Sequence, residues 1–304
     1  MGLGLFVIRD LPLLRGHKGM DDRMKRTKVA VIGVGLLGGS VALALQKRPG
    51  FDVVGWNHRA SSRHRASKIV KVASSLEDAV RDSSVVVLSA HSSSICDLIR
   101  EIQPWLGQDT LVLDVSSLKK ALAEDASKIP DLAGRFVPCH PMAGKEKSGP
   151  EVAEAALFQG RWVFVTPIPG TPNRQVVRAE KFWKRIGAKV LRWTPGDHDR
   201  RVALTSHVPH LLACVMMELY GRRLAKDHAL EAGVGPGFKD FTRIAAGNPA
   251  MWTDIMELNA KEIGSVLGDF RKSLQTLEKD LKLGRRGKWM RFFENARTLR
   301  EKIR

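Results

Sequence analysis

A charge-free, β-branched run at residues 28–32 (KVAVI, after its leading lysine) passes directly into Gly33-Val34-Gly35-Leu36-Leu37-Gly38, and then into an alanine- and leucine-rich stretch that ends at Gln46. Few folds accommodate that order. From Val29 to Gln46 there is no formal charge, so the stretch approaches the length of a membrane span. Its glycines argue otherwise, dividing it into a short buried strand, a tight turn and a helix. In that setting GxGxxG has a physical meaning. Gly33 permits the turn, Gly35 lets backbone approach a pyrophosphate, and Gly38 lets helix pack closely on strand. The helix start at Leu36 and Leu37 offers free N–H groups and the positive end of a dipole to phosphate. A dinucleotide site floored by Gly33, Gly35, Leu36, Leu37 and Gly38 is predicted.

The residue that ends the second strand, Asp52–Trp56, discriminates between the two nicotinamide dinucleotides. An acidic residue there binds the adenosine ribose of NAD. This chain has Asn57, followed by Arg59 and Arg63. An amide does not repel a 2′-phosphate and either arginine can bind one, so the reading favours NADP over NAD.

Further apolar runs of strand length lie at 85–89, 111–115, 136–139 and 162–166, with a helical stretch at 95–102. Strands alternating with helices predict a parallel sheet covered on both faces. After about Arg192 the rhythm is helical only, over 204–220, 251–272 and 274–283. The fold class is therefore α/β: a Rossmann-type, doubly wound, mainly parallel sheet at 28–192, followed by an all-helical second domain at 193–304. A length of 304 residues suits two domains of ~150. Residues 1–27 are read as an extension produced by an overextended start, because their apolar patch precedes its basic residues and so lacks signal-peptide order.

Fifty Lys and Arg against 32 Asp and Glu leave a net charge of +18. That favours anionic partners, yet no element for reading bases is found. No specific nucleic acid and no membrane are expected as partners. Three dispersed cysteines without a CxxC point to a reducing compartment, and a cytoplasmic location is expected. Cys139 adjoins His140, but a buried thiol is normally inert. His207 and His210 are three residues apart without a convincing third ligand, so no metal is expected.

Downstream blocks carry a resemblance. They are 114–119 (DVSSLK), 140–149 (HPMAGKEKSG), 206–210 (SHVPH), and 237–245 (GFKDFTRIA) followed by 251–255 (MWTDI). Together with the glycine loop, in this order, they resemble the prephenate/arogenate dehydrogenase family of tyrosine biosynthesis. The resemblance implies NAD(P)-dependent oxidative decarboxylation of a cyclohexadienol. Hydride leaves the ring carbon that bears the hydroxyl, a base takes the hydroxyl proton, and the ring carboxylate departs as CO₂ with aromatisation. Prephenate is the expected substrate and arogenate the alternative. A different β-hydroxyacid-type dehydrogenase is disfavoured, since those usually place a lysine where 206–210 offers histidines. A non-catalytic dinucleotide sensor is the remaining competitor.

The resemblance also implies roles. His140 matches the family's general base, and a neutral imidazole suits that task. Ser117 matches a serine near the hydroxyl and nicotinamide, with a helix N-cap as its plain alternative. Arg243 matches a carboxylate-binding arginine, a role suited to a guanidinium fork, and Asp240 could pair with it when substrate is absent. His210 and Glu146 match pocket residues. Trp252 matches a tryptophan supplied across a homodimer interface in the helical domain, with a core position as its alternative. Lys145, His91 and Pro236 depart from the family pattern, which bears on substrate preference. The chain is read as the minimal catalytic form, with no fused mutase or regulatory domain.

Overall fold

The computed structural model describes residues 26–145 and 147–303. The reading of residues 1–25 as an overextended start, and the role given to Glu146, lie outside the described residues. The first half alternates strand and helix: β1 (Thr27–Ile32), α1 (Leu36–Gln46), β2 (Phe51–Trp56), α2 (Ala60–Ala66), β3 (Lys71–Val72), α3 (Leu76–Val80), β4 (Val85–Leu88), α4 (Ile95–Ile102), β5 (Leu111–Asp114), α5 (Lys120–Ala126) and β6 (Phe136–Val137). All six strands pair in parallel, in the order β3-β2-β1-β4-β5-β6. The charge-free run from Val29 to Gln46 is thus a strand, a turn and a helix.

The central strands are apolar at every buried position except Asp114 at the end of β5, because both faces are covered. Val29, Val31, Val85, Val87, Leu111 and Leu113 face one core with α1. Ala30, Ile32, Val86, Leu88 and Val112 face the other, with α3, α4 and α5. The two-residue alternation sorts one strand into two cores.

The expected strand at 136–139 is broken in two. β6 ends at Val137, and β7 (Cys139–Pro141) joins a second, three-stranded sheet with β8 (Trp162–Val165) and β9 (Lys189–Arg192); α6 (Asn173–Arg185) lies between β8 and β9. β7 runs antiparallel to β8, and β9 parallel to it. The break falls at Pro138, which has no N–H for a ladder. Its carbonyl accepts from the Thr166 backbone N–H at 2.9 Å and from its hydroxyl at 3.1 Å. This switch points β7, and with it His140, away from the first sheet.

The second half is helical: α7 (Pro195–Val202), a π turn (Ala203–His207), α8 (Val208–Leu224), α9 (Pro236–Thr242), a 3₁₀ turn (Arg243–Ala246), α10 (Pro249–Leu258), α11 (Ala260–Lys282) and α12 (Arg286–Glu301). Thr194 caps α7 through the Asp197 N–H, and Asn248 caps α10 through the Met251 N–H. Pro236 opens α9, where a missing N–H is harmless. The helix expected to run from 251 to 272 breaks at Asn259, and the break expected near 273 is absent. A third core forms from Ala203, Val208, Ile255 and Ile263, and Leu118 enters it from the loop after β5.

Gly33 has φ +96°, and a Cβ there would lie 2.1 Å from the Ser89 carbonyl oxygen. At Gly35 a Cβ would meet nothing within 4 Å. Gly33→Ala should therefore lower stability by about 2 kcal/mol or more, while Gly35→Ala should change it much less. Urea midpoints measure both, and equal midpoints for the two variants would contradict this account of the turn.

Candidate active site

Two groups of residues meet at the carboxyl ends of the parallel strands. The first is the glycine loop. The Gly33 N–H donates to the Trp56 carbonyl at 2.8 Å, and the Val34 N–H donates to Asn57 Oδ1 at 3.0 Å. Asn57 therefore joins the end of β2 to the loop after β1. Beside it opens a cavity of about 440 Å³, lined by Gly33, Asn57 and His58 on one side and by Asp97, Leu98 and Glu101 of α4 on the other. It lies between β1 and β4, where the strand order reverses and where α/β sheets bind ligands. The space at Gly35 and the start of α1 at Leu36 suit a pyrophosphate. Gly38 packs closely, since a Cβ there would lie 2.2 Å from the Gly33 carbonyl oxygen.

The two arginines of this region are placed differently. Arg63 Nη1 donates to the carbonyls of Asn57 at 2.9 Å and His58 at 2.7 Å, and its guanidinium lies 6.0 Å from the Trp56 ring. Arg59 precedes α2 and is exposed. The structure thus ties Arg63 to backbone, whereas sequence treats the two alike.

The second group surrounds His140. On β7 it sits opposite Phe164 of β8, and Phe164 stacks on Trp193 at 3.9 Å. His140 Nδ1 lies 2.8 Å from His198 Nε2, and His198 Nδ1 lies 2.7 Å from Asp199 Oδ1. The Asp199 carboxylate also accepts from the Lys119 N–H at 3.0 Å and the Lys120 N–H at 2.9 Å, capping α5 from the helical half. The N-cap role weighed for Ser117 therefore belongs to Asp199. Ser117 stays half-buried in the same loop.

Beneath this loop, Lys119 Nζ pairs with Asp114 Oδ2 at 2.5 Å, both side chains being wholly buried. Asp114 also accepts from the Ser116 N–H and hydroxyl and from the Cys139 N–H at 2.9 Å. Its carboxylate thereby holds both the loop of Ser117 and the strand of His140. Burial pushes the Cys139 thiol up, so it stays protonated and inert.

On the helical side, His210 stacks on Trp252 of the same chain, with centroids 3.5 Å apart and planes 8° from parallel. The indole of Trp252 thus meets His210 within one chain. Gly247 admits the pair, since a Cβ there would lie 2.5 Å from Trp252 Nε1. His207 is buried and is hydrogen-bonded at Nδ1 to Asn259 Nδ2 at 3.1 Å, so it serves structure. Arg243 starts the 3₁₀ turn that packs on α8, and Asp240 lies exposed one turn earlier on α9. Lys145 donates to the Val152 carbonyl at 3.1 Å and pairs with Glu154.

His198, Asp199, Asn259, Lys119 and Asp114 all support the site; in the sequence Asp114 and Lys119 stand only as the ends of the 114–119 block, and the other three carry no assignment. His198 and Asp199 lie in a polar first turn after Thr194-Pro195, which reads as a solvated helix start. Their adjacency near a strand end was the available signal. Asn259 carries none, because its helix break follows no glycine or proline.

The imidazoles are held neutral. Burial, then the neighbouring His198 and Lys119, hold His140 well below the ordinary histidine value. Burial lowers His198 against the opposing pull of Asp199. His207 is pushed down to about 4, mainly by burial.

The chain matches the family models for the prephenate dehydrogenase nucleotide-binding domain over residues 41–192 and the prephenate dehydrogenase dimerization domain over residues 194–295. It belongs to the prephenate dehydrogenase family. It is 31% identical to the cyclohexadienyl dehydrogenase of Zymomonas mobilis over 82% of this chain and 86% of that protein. It is 26% identical to the prephenate dehydrogenase of Bacillus subtilis over 92% of this chain and 76% of that one. Among solved structures, prephenate dehydrogenase from Aquifex aeolicus with hydroxyphenyl propionate and NAD⁺ superposes with a TM-score of 0.83 at 28% identity, covering 93% of this chain and 100% of that one. Synechocystis arogenate dehydrogenase gives 0.77 at 27% identity, over 91% and 100%. The protein is thus an NAD(P)-dependent oxidoreductase of prephenate dehydrogenase type, whose helical part is a dimerisation domain.

Three buried neutral histidines make stability depend on pH. Their folded-state pKa values lie below the unfolded value of ~6.5, so the unfolded chain binds more protons below that pH. Their contribution is complete above ~6.5 and declines as pH falls toward about 4, the value for His207. The urea midpoint should accordingly be lower at pH ~4.5 than at pH ~7.5; equal midpoints would rule out burial of neutral imidazoles.

Proposed function

We propose that the protein is a prephenate dehydrogenase that prefers NADP and works as a cytoplasmic homodimer, with residues 28–192 binding dinucleotide and 193–304 completing the substrate site. The observation that carries this reading is His140: buried, neutral, and engaged at Nδ1 so that Nε2 is left for a substrate proton. His140 would take the proton of the ring hydroxyl as the ring carboxylate departs and the ring becomes aromatic. Ser117 would hydrogen-bond the same hydroxyl. Arg243 would hold a substrate carboxylate in its fork, and the stacked His210 and Trp252 would form an apolar wall for the ring. When bound, NAD(P)⁺ supplies the hydride acceptor, and the glycine loop, Asn57 and the start of α1 would hold it.

The NADP preference rests on Asn57. Its Oδ1 is taken by the Val34 N–H, which leaves the Nδ2 donor toward a ribose substituent, with exposed Arg59 beside it. Asp97 and Glu101, on the α4 side of the same cavity, work against a second phosphate. Prephenate is favoured because nearby carboxylates have partners. Asp199 and Asp114 are saturated as described, and Asp254 accepts from Ser93 at 3.0 Å. Exposed Asp240 is the group through which the ammonium of arogenate, the alternative, would be read.

Homodimer formation is supported by apolar side chains left exposed on the helical half, among them Met216 and Leu219 on α8, Phe270 and Leu274 on α11, and Phe293 on α12. One stretch among the described residues, Pro195–Leu224, is long and apolar enough to cross a membrane by length and composition. It carries His198, Asp199, His207 and His210 into the site, a load that suits a protein interior better than lipid.

His140→Asn should keep dinucleotide affinity and lose ~10²–10⁴-fold in kcat; a variant with wild-type kcat would remove His140 as the base. Steady-state kinetics should give a higher kcat/KM for NADP than for NAD and for prephenate than for arogenate. Asn57→Asp should turn the cofactor ratio toward NAD. A wild-type ratio already favouring NAD would overturn the NADP assignment.

A further inference from the structure

We propose that His198 and Asp199 are positioning residues: they fix His140 in the one tautomer that presents a lone pair at Nε2, and the helical half thereby arms a base carried by the sheet half. The proposal deepens the assignment of His140 as the base and rests on it. Asp199 is held on every side. Its two oxygens accept from the Lys119 and Lys120 N–H groups at the start of α5 and from His198 Nδ1. Its backbone carbonyl accepts from Asn259 Nδ2 at 3.0 Å. Its place is set by α5 on one side and by the helix break before α11 on the other.

A carboxylate can only accept. His198 must therefore carry its proton on Nδ1, and as a neutral ring it exposes a lone pair at Nε2. That lone pair faces His140 Nδ1 at 2.8 Å, so His140 carries its proton on Nδ1 and keeps Nε2 open. When His140 accepts the hydroxyl proton there, one bond forms, Nε2–H, and the substrate O–H breaks. The resulting positive charge is stabilised through His198 toward the Asp199 carboxylate, with no second proton transfer required.

The setting argues against a merely structural histidine. His198 is wholly buried and bracketed by aromatic edges, with ring centroids 5.6 Å from Phe164 and 6.3 Å from Trp193. For packing alone an apolar side chain would serve such a cage better than an imidazole that must be desolvated. No water is needed to complete the chain, because each nitrogen between His140 Nδ1 and Asp199 already has its partner.

The test compares His198→Leu with His198→Gln, beside His140→Asn, measuring kcat and KM with prephenate, NADP⁺ affinity by fluorescence titration, and melting temperature. Leu fills the cage but accepts no hydrogen bond, whereas Gln offers an oxygen at about the reach of Nε2. A positioning role predicts that Leu keeps KM and cofactor affinity within about twofold and loses ~10–10³-fold in kcat, and that Gln recovers at least about tenfold of that loss. A packing role predicts the opposite order, with Leu equal to or better than Gln, and that result overturns the proposal. Wild-type kcat in His198→Leu together with an inactive His140→Asn overturns the positioning role and leaves the base intact. An active His140→Asn overturns both. If His198→Leu does not fold, Asp199→Asn decides: its oxygen keeps the Lys120 N–H while its amide, in the place of Oδ1, gives up the Lys119 N–H and presents a donor to His198, so the folded variant should lose kcat by a similar factor, and wild-type kcat there overturns the proposal.

Discussion

Lys119 and Asp114 form an ion pair with no access to water, and much of the site hangs from it. Burying two charges costs several kcal/mol each unless the geometry is good and the remaining hydrogen-bonding positions are filled. Here they are filled by functional backbone: Asp114 takes the Ser116 N–H on one side and the Cys139 N–H on the other. Replacing the pair by apolar residues would repack the interior and release both segments. The carboxylate is thus a splice between β5, the loop that carries Ser117 and Leu118, and the strand that carries His140.

The pair also shapes the chemistry above it. A buried ammonium close to His140 and His198 opposes protonation of both rings, adding to the effect of burial. Asp199 pulls the other way on His198 and on His207. The rings are arranged in a gradient, with the negative end anchored at the start of α5 and His140 at the other end. This ordering makes a neutral imidazole the resting state and provides a direction in which new positive charge can be accommodated.

Much of the sheet half was legible because its signals are local. A β-branched run, a glycine turn and an apolar helix lie within twenty or so residues, and their order admits one fold class. The division at Pro138 was less so: a proline inside 136–139 was visible, but a strand continuing into a different sheet depends on where Thr166 and Asp114 lie in space. For the site, the motif residues Ser117, His140, His210 and Trp252 were visible by resemblance, while their supports were not. Asp199 caps a helix eighty residues earlier in the chain, and Asn259 reaches back to Asp199 and His207. Such contacts leave no periodicity, because they are made by single polar side chains at element ends. Arg63 shows a second use that its sequence position does not reveal: its Nη1 also holds the turn after β2.

Leu118 is a single side chain from the sheet half lodged among Ala203, Val208, Ile255 and Ile263 of the helical half. Its neighbours in sequence on either side are half-buried Ser117 and Lys119, whose N–H is gripped by Asp199. The loop is therefore threaded through both halves at once. The place of this loop is set only where the helices close over Leu118 and Asp199 takes the Lys119 N–H. The hydrophobic contact acts as an interlock that ties the shape of this loop to the joining of the two halves.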